Sequence, residues 1–419
     1  MAGRDASVGD TALTNASNGL FRGWLVVAAA FSVLFFAYGL QFSYGVFVSG
    51  MAAELGWSRA ATALPYSLYV FAYSVLSAAT GRATDRFGPR PVITIGALLL
   101  GIGWGTSALV QQPWHLNITL GVVAALGMSV AWVPCNATVS RWFTRRRGTA
   151  VAVASSGGSL GNLIVPAVAA AMVSVWGWRW SLAVIAIVAA SGMLVAARFM
   201  VRDPEALGLW PDGDARPSPM TALGPGKALS EVCWSEPFLL LIAIYFMTWV
   251  PVFVPFVHGA AYAEDLGLSK VAAASVISAI GIGGVVGRLL SGVFSDWVGR
   301  LPALIGVFAL QAVSFLLFAT ADKLAMLWLA ATLFGFSYGG GVTLLPPLCG
   351  DLFGRAHVAA IVGMIFAVAG APAAIGPYVA GWLFDATGSY GAAFLSSAAL
   401  NTMALALTAV LAWRSRRGA

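Results

Sequence analysis

The sequence predicts an all-α membrane protein: twelve transmembrane helices in two pseudo-symmetric six-helix bundles. Three observations predict it. Of 419 residues, 59% are hydrophobic and only 9% charged, whereas soluble domains carry about 25% charged residues. Twelve apolar runs, each able to cross a hydrocarbon core about 30 Å thick, fall six on either side of a polar stretch. A short motif in the first half recurs in the second at an offset of 211 residues, about half the chain.

The elements follow in order. Residues 1–22 read as a polar tail whose first eighteen lack the apolar core and cleavage site of a secretory signal, so the first apolar segment is expected to stay in the mature chain. Spans are expected near 24–50, 60–81, 91–111, 115–140, 148–174 and 180–200, forming a first bundle over 23–201. "DPEALGLWPDGDARPSP" is too polar and Pro-rich for a membrane helix, and marks 202–234 as a linker. Further spans are expected near 237–262, 268–295, 301–321, 323–348, 358–383 and 389–413, forming a second bundle over 235–413 before a basic tail at 414–419.

Of the 23 Lys and Arg residues, Arg59, Arg179, Lys270 and Lys323 fall on one side, Arg288 lies in mid-span, and the other eighteen fall on the opposite side. This bias predicts that both termini and the linker are cytoplasmic, in a multi-pass protein of the inner (cell) membrane. The net charge of +7 is thus a topology signal, with nothing left over that calls for nucleic acid. Cys135, Cys233 and Cys349 are scattered, which argues against a disulfide framework or a metal site. No cofactor motif or nucleophile constellation appears, and a linker of about thirty residues is too short for a catalytic domain. An enzyme is not expected.

Setting "GRATDRFGPRP" (81–91) over "GVFSDWVGRLP" (292–302) pairs Gly81 with Gly292, Asp85 with Asp296, Gly88 with Gly299 and Pro91 with Pro302; Phe143 and Arg145 pair with Phe353 and Arg355 at an offset of 210. Asp85, at a helix end, can accept from the backbone and from Arg86 or Arg90, closing one side of the molecule in one state and releasing it in another. Gly81, Asp85, Arg86, Gly88 and Arg90, with Gly292, Asp296, Gly299 and Arg300, are therefore the candidate gate. The first copy resembles the signature of the major facilitator superfamily, which implies that superfamily's fold.

"SRWFTRRRGTAVAVASSGGSLG" (140–161) resembles the fifth-helix signature of the monocarboxylate transporter family at Phe143, Arg145, Arg146, Arg147, Ala150, Ala154 and Gly157, and departs from it at Thr149. The first span is similar to that family's first helix through Gly23, Trp24, Ala30, Phe31, Phe36, Tyr38, Ser43, Val46 and Phe47. The resemblance, to the bacterial lactate and pyruvate branch, implies a secondary transporter whose eighth-helix arginine binds substrate. Phe42 stands where animal members have a lysine, and Gly284 where they have an acid. Both groups are associated with proton symport in those relatives, so coupling here is left to other groups.

Arg288 carries the chemistry. All sixteen acids lie at span ends, in loops or in the linker, and Asp296 is eight residues away, about 12 Å along a helix. A guanidinium in the bilayer faces a cavity, finds a partner or serves function. Its counter-ion is expected to be the substrate, a small organic anion gripped by two parallel hydrogen bonds; backbone carbonyls or water are the alternative. Trp132 and Asn136 in the fourth span, Tyr338 in the tenth, and Tyr38 with Phe42 in the first are candidate liners, although helix packing accounts for each alone. His258 is the candidate for proton handling or gating, against the plainer reading of a buried histidine bonded to a hydroxyl or carbonyl. With no Lys or Arg in the eleventh span, one carboxylate is favoured over the two of an oxalate-type exchanger. Cation efflux would need an intramembrane acid. A non-transporting sensor remains the rival from another class.

Overall fold

The computed structural model describes residues 21–57, 59–214, 229–354 and 356–417. Most of the expected N-terminal tail, the Pro-rich part of the linker, Arg355 and the last two residues of the basic tail lie outside the described residues. Within them the chain is helical, and no strand occurs.

Among the described residues, ten helical segments are long and apolar enough to cross a membrane. One of them, Arg147–Ala197, has 51 residues and reverses at Gly177, where φ is 72°, so it supplies both the fifth and the sixth spans. A loop was expected there; one glycine suffices, because without a Cβ it enters the left-handed region cheaply. Arg59–Phe87 is the second span and completes the twelve; Tyr66, Tyr69, Tyr73 and several Ser and Thr residues lower its hydropathy. The first span is Arg22–Phe42 continued by Tyr44–Leu55, the third Pro89–Thr106 and the fourth Pro113–Trp142. The seventh is Glu236–Trp249 continued by Val254–Asp265, followed by Lys270–Val298, Arg300–Ala319, Leu324–Phe353, Val358–Phe384 and Gly391–Arg417.

Several spans are broken partway: the first at Ser43, the fourth by a turn at 129–131 immediately before Trp132, the seventh at 250–253 and the eleventh over 366–374. Broken helices are tolerated in a membrane only where protein or a cavity satisfies the freed backbone. Here the Thr80 hydroxyl of the second span donates to the freed carbonyl of Ser129 at 2.9 Å.

Close helix approach sets the position of the central arginine. The eighth and tenth spans meet backbone to backbone. A Cβ on Gly287 would lie 2.0 Å from Phe336 O, and one on Gly335 would lie 2.1 Å from Ile280 O. Arg288 follows Gly287, and its stem crosses the tenth span at Gly339, where a Cβ would come within 3.1 Å of Arg288 Cγ.

The described part of the linker is not a free tether. Pro204–Leu207 and Pro211–Gly213 make short turns against the first half. Asp212, at φ 60°, accepts from the Thr144 amide and hydroxyl and from the Arg145 amide at 2.9, 2.5 and 2.9 Å.

Candidate functional site

Arg288 is 8% exposed, and its Nε and Nη1 have no hydrogen-bond acceptor. Its charge is met by rings: the Trp132 ring of the first half at 5.2 Å and the Tyr338 ring of the second at 5.9 Å. Each contact is worth about 0.5–2 kcal/mol. A cationic side chain in mid-helix costs about 3 kcal/mol even on insertion scales, and every unmet buried donor adds about 1–3 kcal/mol. Two rings offset part of this and satisfy no N–H.

The structure gathers most of the expected liners here. Tyr38 meets Trp132 edge to face at 6.0 Å and stacks on Phe42 at 6.1 Å, so Phe42, 42% exposed, reaches the site through Tyr38. Trp132 also lies 6.2 Å from Phe366 of the second half, and its buried Nε1 has no partner. Tyr338 stacks on Phe334 at 6.3 Å. Asn136 is less directly placed: its Nδ2 donates to Trp132 O at 3.0 Å within its own helix, its buried Oδ1 is unpartnered, and it shares no hydrogen bond with Arg288.

At one end the halves are latched, and each motif acid caps a helix of the opposite half. Asp85 accepts from the Ala360 amide at 2.7 Å, at the start of the eleventh span. Asp296 accepts from the amides of Gly148 and Thr149 at 2.9 and 2.8 Å and from the Thr149 hydroxyl at 2.6 Å, at the start of the fifth. Carboxylates are favoured at helix N-termini by the unpaired amides and the helix dipole. Gly81 and Gly292 make the close approach possible: a Cβ on Gly81 would lie 2.2 Å from Ala359 O, and one on Gly292 would lie 2.4 Å from Ala152 Cβ. Gly88 and Gly299, at φ 86° and 93°, turn the chain into the next helix.

One expectation is corrected. The basic partner of Asp85 is Arg141 of the fourth span, at 2.7 Å, and neither Arg86 nor Arg90. Arg86, next along the helix, points about 100° away and lies over the Phe87 ring at 5.1 Å. Arg90 is exposed beyond the Gly88 turn. Arg141 also reaches Asp203 of the linker at 3.0 Å and the Ala356 carbonyl of the other half. In the second copy, Arg300 does pair with Asp296, at 2.5 Å, while Asp351 binds Arg147 across the interface.

Arg141, Asp351 and Thr149 take part in these contacts between the halves and were not singled out in the sequence. The signal for Thr149 was its departure from the fifth-helix signature, two residues into a helix where amides need an acceptor. His258 sits away from Arg288, with Nε2 2.9 Å from Pro377 O and Nδ1 3.2 Å from Tyr390 Oη. The carbonyl can only accept, so Nε2 carries the proton and Nδ1 accepts from the hydroxyl.

Two duplicated six-helix halves, latched at one end and enclosing an unanswered cation, define a membrane transporter. The chain belongs to the Major Facilitator Superfamily, whose family description matches residues 30–374. It is 29% identical over 392 residues to monocarboxylate transporter 11 of Homo sapiens, covering 90% of this chain and 80% of that protein. The Mus musculus counterpart is 30% identical over 385 residues (89% and 83%), and monocarboxylate transporter 13 of Rattus norvegicus is 27% identical over 380 (90% and 86%). Among solved structures, the proton:xylose symporter XylE superposes with a TM-score of 0.72 at 15% identity (92% of this chain, 94% of that one). FucP in its outward conformation gives 0.72 at 14% (93% and 99%). These two likenesses show the fold alone. The chain is thus a multi-pass membrane transporter related to the monocarboxylate transporters, not an enzyme.

Proposed function

We propose that this transporter moves a small monocarboxylate of the lactate or pyruvate kind by alternating access, with Arg288 binding the carboxylate. One observation carries the reading: a guanidinium buried between the halves that faces two aromatic rings and, among the described residues, has no acceptor for its Nε and Nη1. A carboxylate entering between Trp132 and Tyr338 supplies the missing acceptors, and rocking of the halves about that point exposes it to the other side. The similarity to monocarboxylate transporters supports the substrate class.

The Lys and Arg bias supports a cytoplasmic placement for the Asp85 and Asp296 end, both termini and the linker, with bundles over 23–201 and 235–413. On that orientation the latched structure is closed toward the cytoplasm. For proton coupling the reading offers His258. Its two ring nitrogens meet Tyr390 Oη and Pro377 O, which ties the seventh span to the segments around the eleventh and twelfth.

The test is counterflow of labelled lactate or pyruvate in proteoliposomes, with and without a pH gradient. Arg288→Ala is expected to abolish uptake in protein that still inserts and purifies normally, and R288K to retain weak binding without the two-pronged grip. Wild-type uptake by R288A overturns the assignment. Tight binding with no uptake by the wild-type chain would favour a sensor instead.

A further inference from the structure

A second group of polar side chains lies in the first half, next to the arginine, and packing does not account for it. Gln41, on the first span one turn beyond Tyr38, is 4% exposed. Its Nε2 donates to Tyr66 Oη at 3.4 Å, and its Oε1 is buried without a partner. Tyr73 stands on the same face of the second span as Tyr66, and meets Tyr69 ring to ring at 5.3 Å. It lies within electrostatic reach of Tyr66 and of Tyr338 of the other half, and within hydrogen-bonding reach of Gln41. Tyr38 in turn lies within electrostatic reach of Tyr73 and Arg288. Contacts therefore lead from Arg288 to the Trp132 ring, from Trp132 to Tyr38, and one helical turn further along the first span to Gln41 and Tyr66. Tyr66 and Tyr73 are partly exposed, not sealed in the core.

A lone buried amide with one end unmet is disfavoured in lipid unless something binds it. Gln41 lies about 4.5 Å beyond Tyr38 along the helix, the length of a few carbon–carbon bonds. We propose that Gln41, Tyr66 and Tyr73 form a second subsite that takes a hydroxyl on the tail of the acid whose carboxylate Arg288 holds. The substrate class is then a monocarboxylate with a hydroxyl several carbons from the carboxylate, in preference to the plain acid of equal length. A hydroxyl suits the site because it both donates and accepts, and so serves either orientation of the amide. This inference rests on the carboxylate reading of Arg288, and a separate variant tests each.

Isothermal titration calorimetry on the purified full-length chain compares 4-hydroxybutyrate with butyrate, and 6-hydroxyhexanoate with hexanoate. The wild type is expected to bind the better-fitting hydroxy acid about tenfold more tightly than its plain partner, the value of one added hydrogen bond. In Gln41→Leu that ratio is expected to fall to within about twofold. Tyr73→Phe, which removes one hydroxyl and keeps the ring, is expected to lower it in the same direction and covers the event that Q41L fails to fold. R288A is expected to lose all four acids. A wild-type ratio near one, or a ratio unmoved in both variants, overturns the subsite and leaves the arginine reading standing. Undiminished binding in R288A, or binding of none of the acids by the wild type, overturns the carboxylate reading and the subsite with it.

Discussion

Arg141 and Arg288 are the same side chain at nearly the same burial, 5% and 8% exposed, and they are opposite cases. Arg141 is saturated, with Asp85 and Asp203 as ion partners and the Ala356 carbonyl across the interface. Arg288 has two aromatic faces and, among the described residues, no acceptor for its Nε and Nη1. Burial alone therefore says little about the role of a charge in this protein. What separates the latch from the site is whether the protein itself completes the pair. On the proposed reading, a completed pair holds one conformation, and an incomplete one waits for a ligand.

Mutations at the two positions break or sharpen this contrast. The largest expected effect is the opposite behaviour of the two alanine variants: R288A abolishes uptake and leaves the melting temperature unchanged or raised, because an unpaired charge is gone. R141A leaves Asp85 buried without its cation, a loss of about 3–5 kcal/mol for a broken buried pair. It is expected to melt several degrees lower in a detergent thermal-unfolding assay. A fall in melting temperature for R288A equal to that for R141A would show that both arginines are structural. Next comes D296N, which removes the negative charge from the cap on the fifth span and weakens charge-assisted bonds of about 1.5–3 kcal/mol each. Cysteines placed on the latched end are expected to react faster with a water-soluble maleimide in this variant. T149V keeps the amide bond and loses the hydroxyl bond to the carboxylate, at least about 1.5 kcal/mol, so its labelling rate is expected to rise about tenfold.

The smallest effect concerns the linker. Burial pushes the Asp212 carboxyl up, but the Thr144 hydroxyl and the amides of Arg145, Thr144 and Arg146 outweigh it and hold the group below the usual carboxylate range. A lowered value means that docking is supported above about pH 4 and is lost as pH falls through the folded value. Pepsin cleavage within 202–214 is expected to begin only at the acid end of a pH series, and at higher pH in D212N.

What was legible in the sequence were quantities that can be counted along one dimension. The twelve spans follow from run length, and the isolation of Arg288 follows from the places of the acids. The gate acids and glycines were legible because they occur twice. The partner of Asp85 was not, since Arg141 is 56 residues away and arrives only through the packing of the second span against the fourth. Gln41 and Tyr73 were hidden for a different reason: single polar residues inside an apolar run carry no period of their own. The docked linker looked like a spacer because Pro, Gly and Asp signal turns equally well in free and in anchored chain.

The reciprocal capping at the latched end has a consequence for the solvent. When the halves part, the amides of Gly148, Thr149 and Ala360 and the carboxylates of Asp85 and Asp296 lose one another together. These are helix ends and formal charges, so water has to take each vacated place. On the proposed alternating-access reading, every turnover hydrates and dehydrates this end of the molecule, and the conformational equilibrium is tied to the activity of water. Sucrose, excluded from protein surfaces, is expected to favour the dry, latched form and to slow turnover in proportion to osmolality.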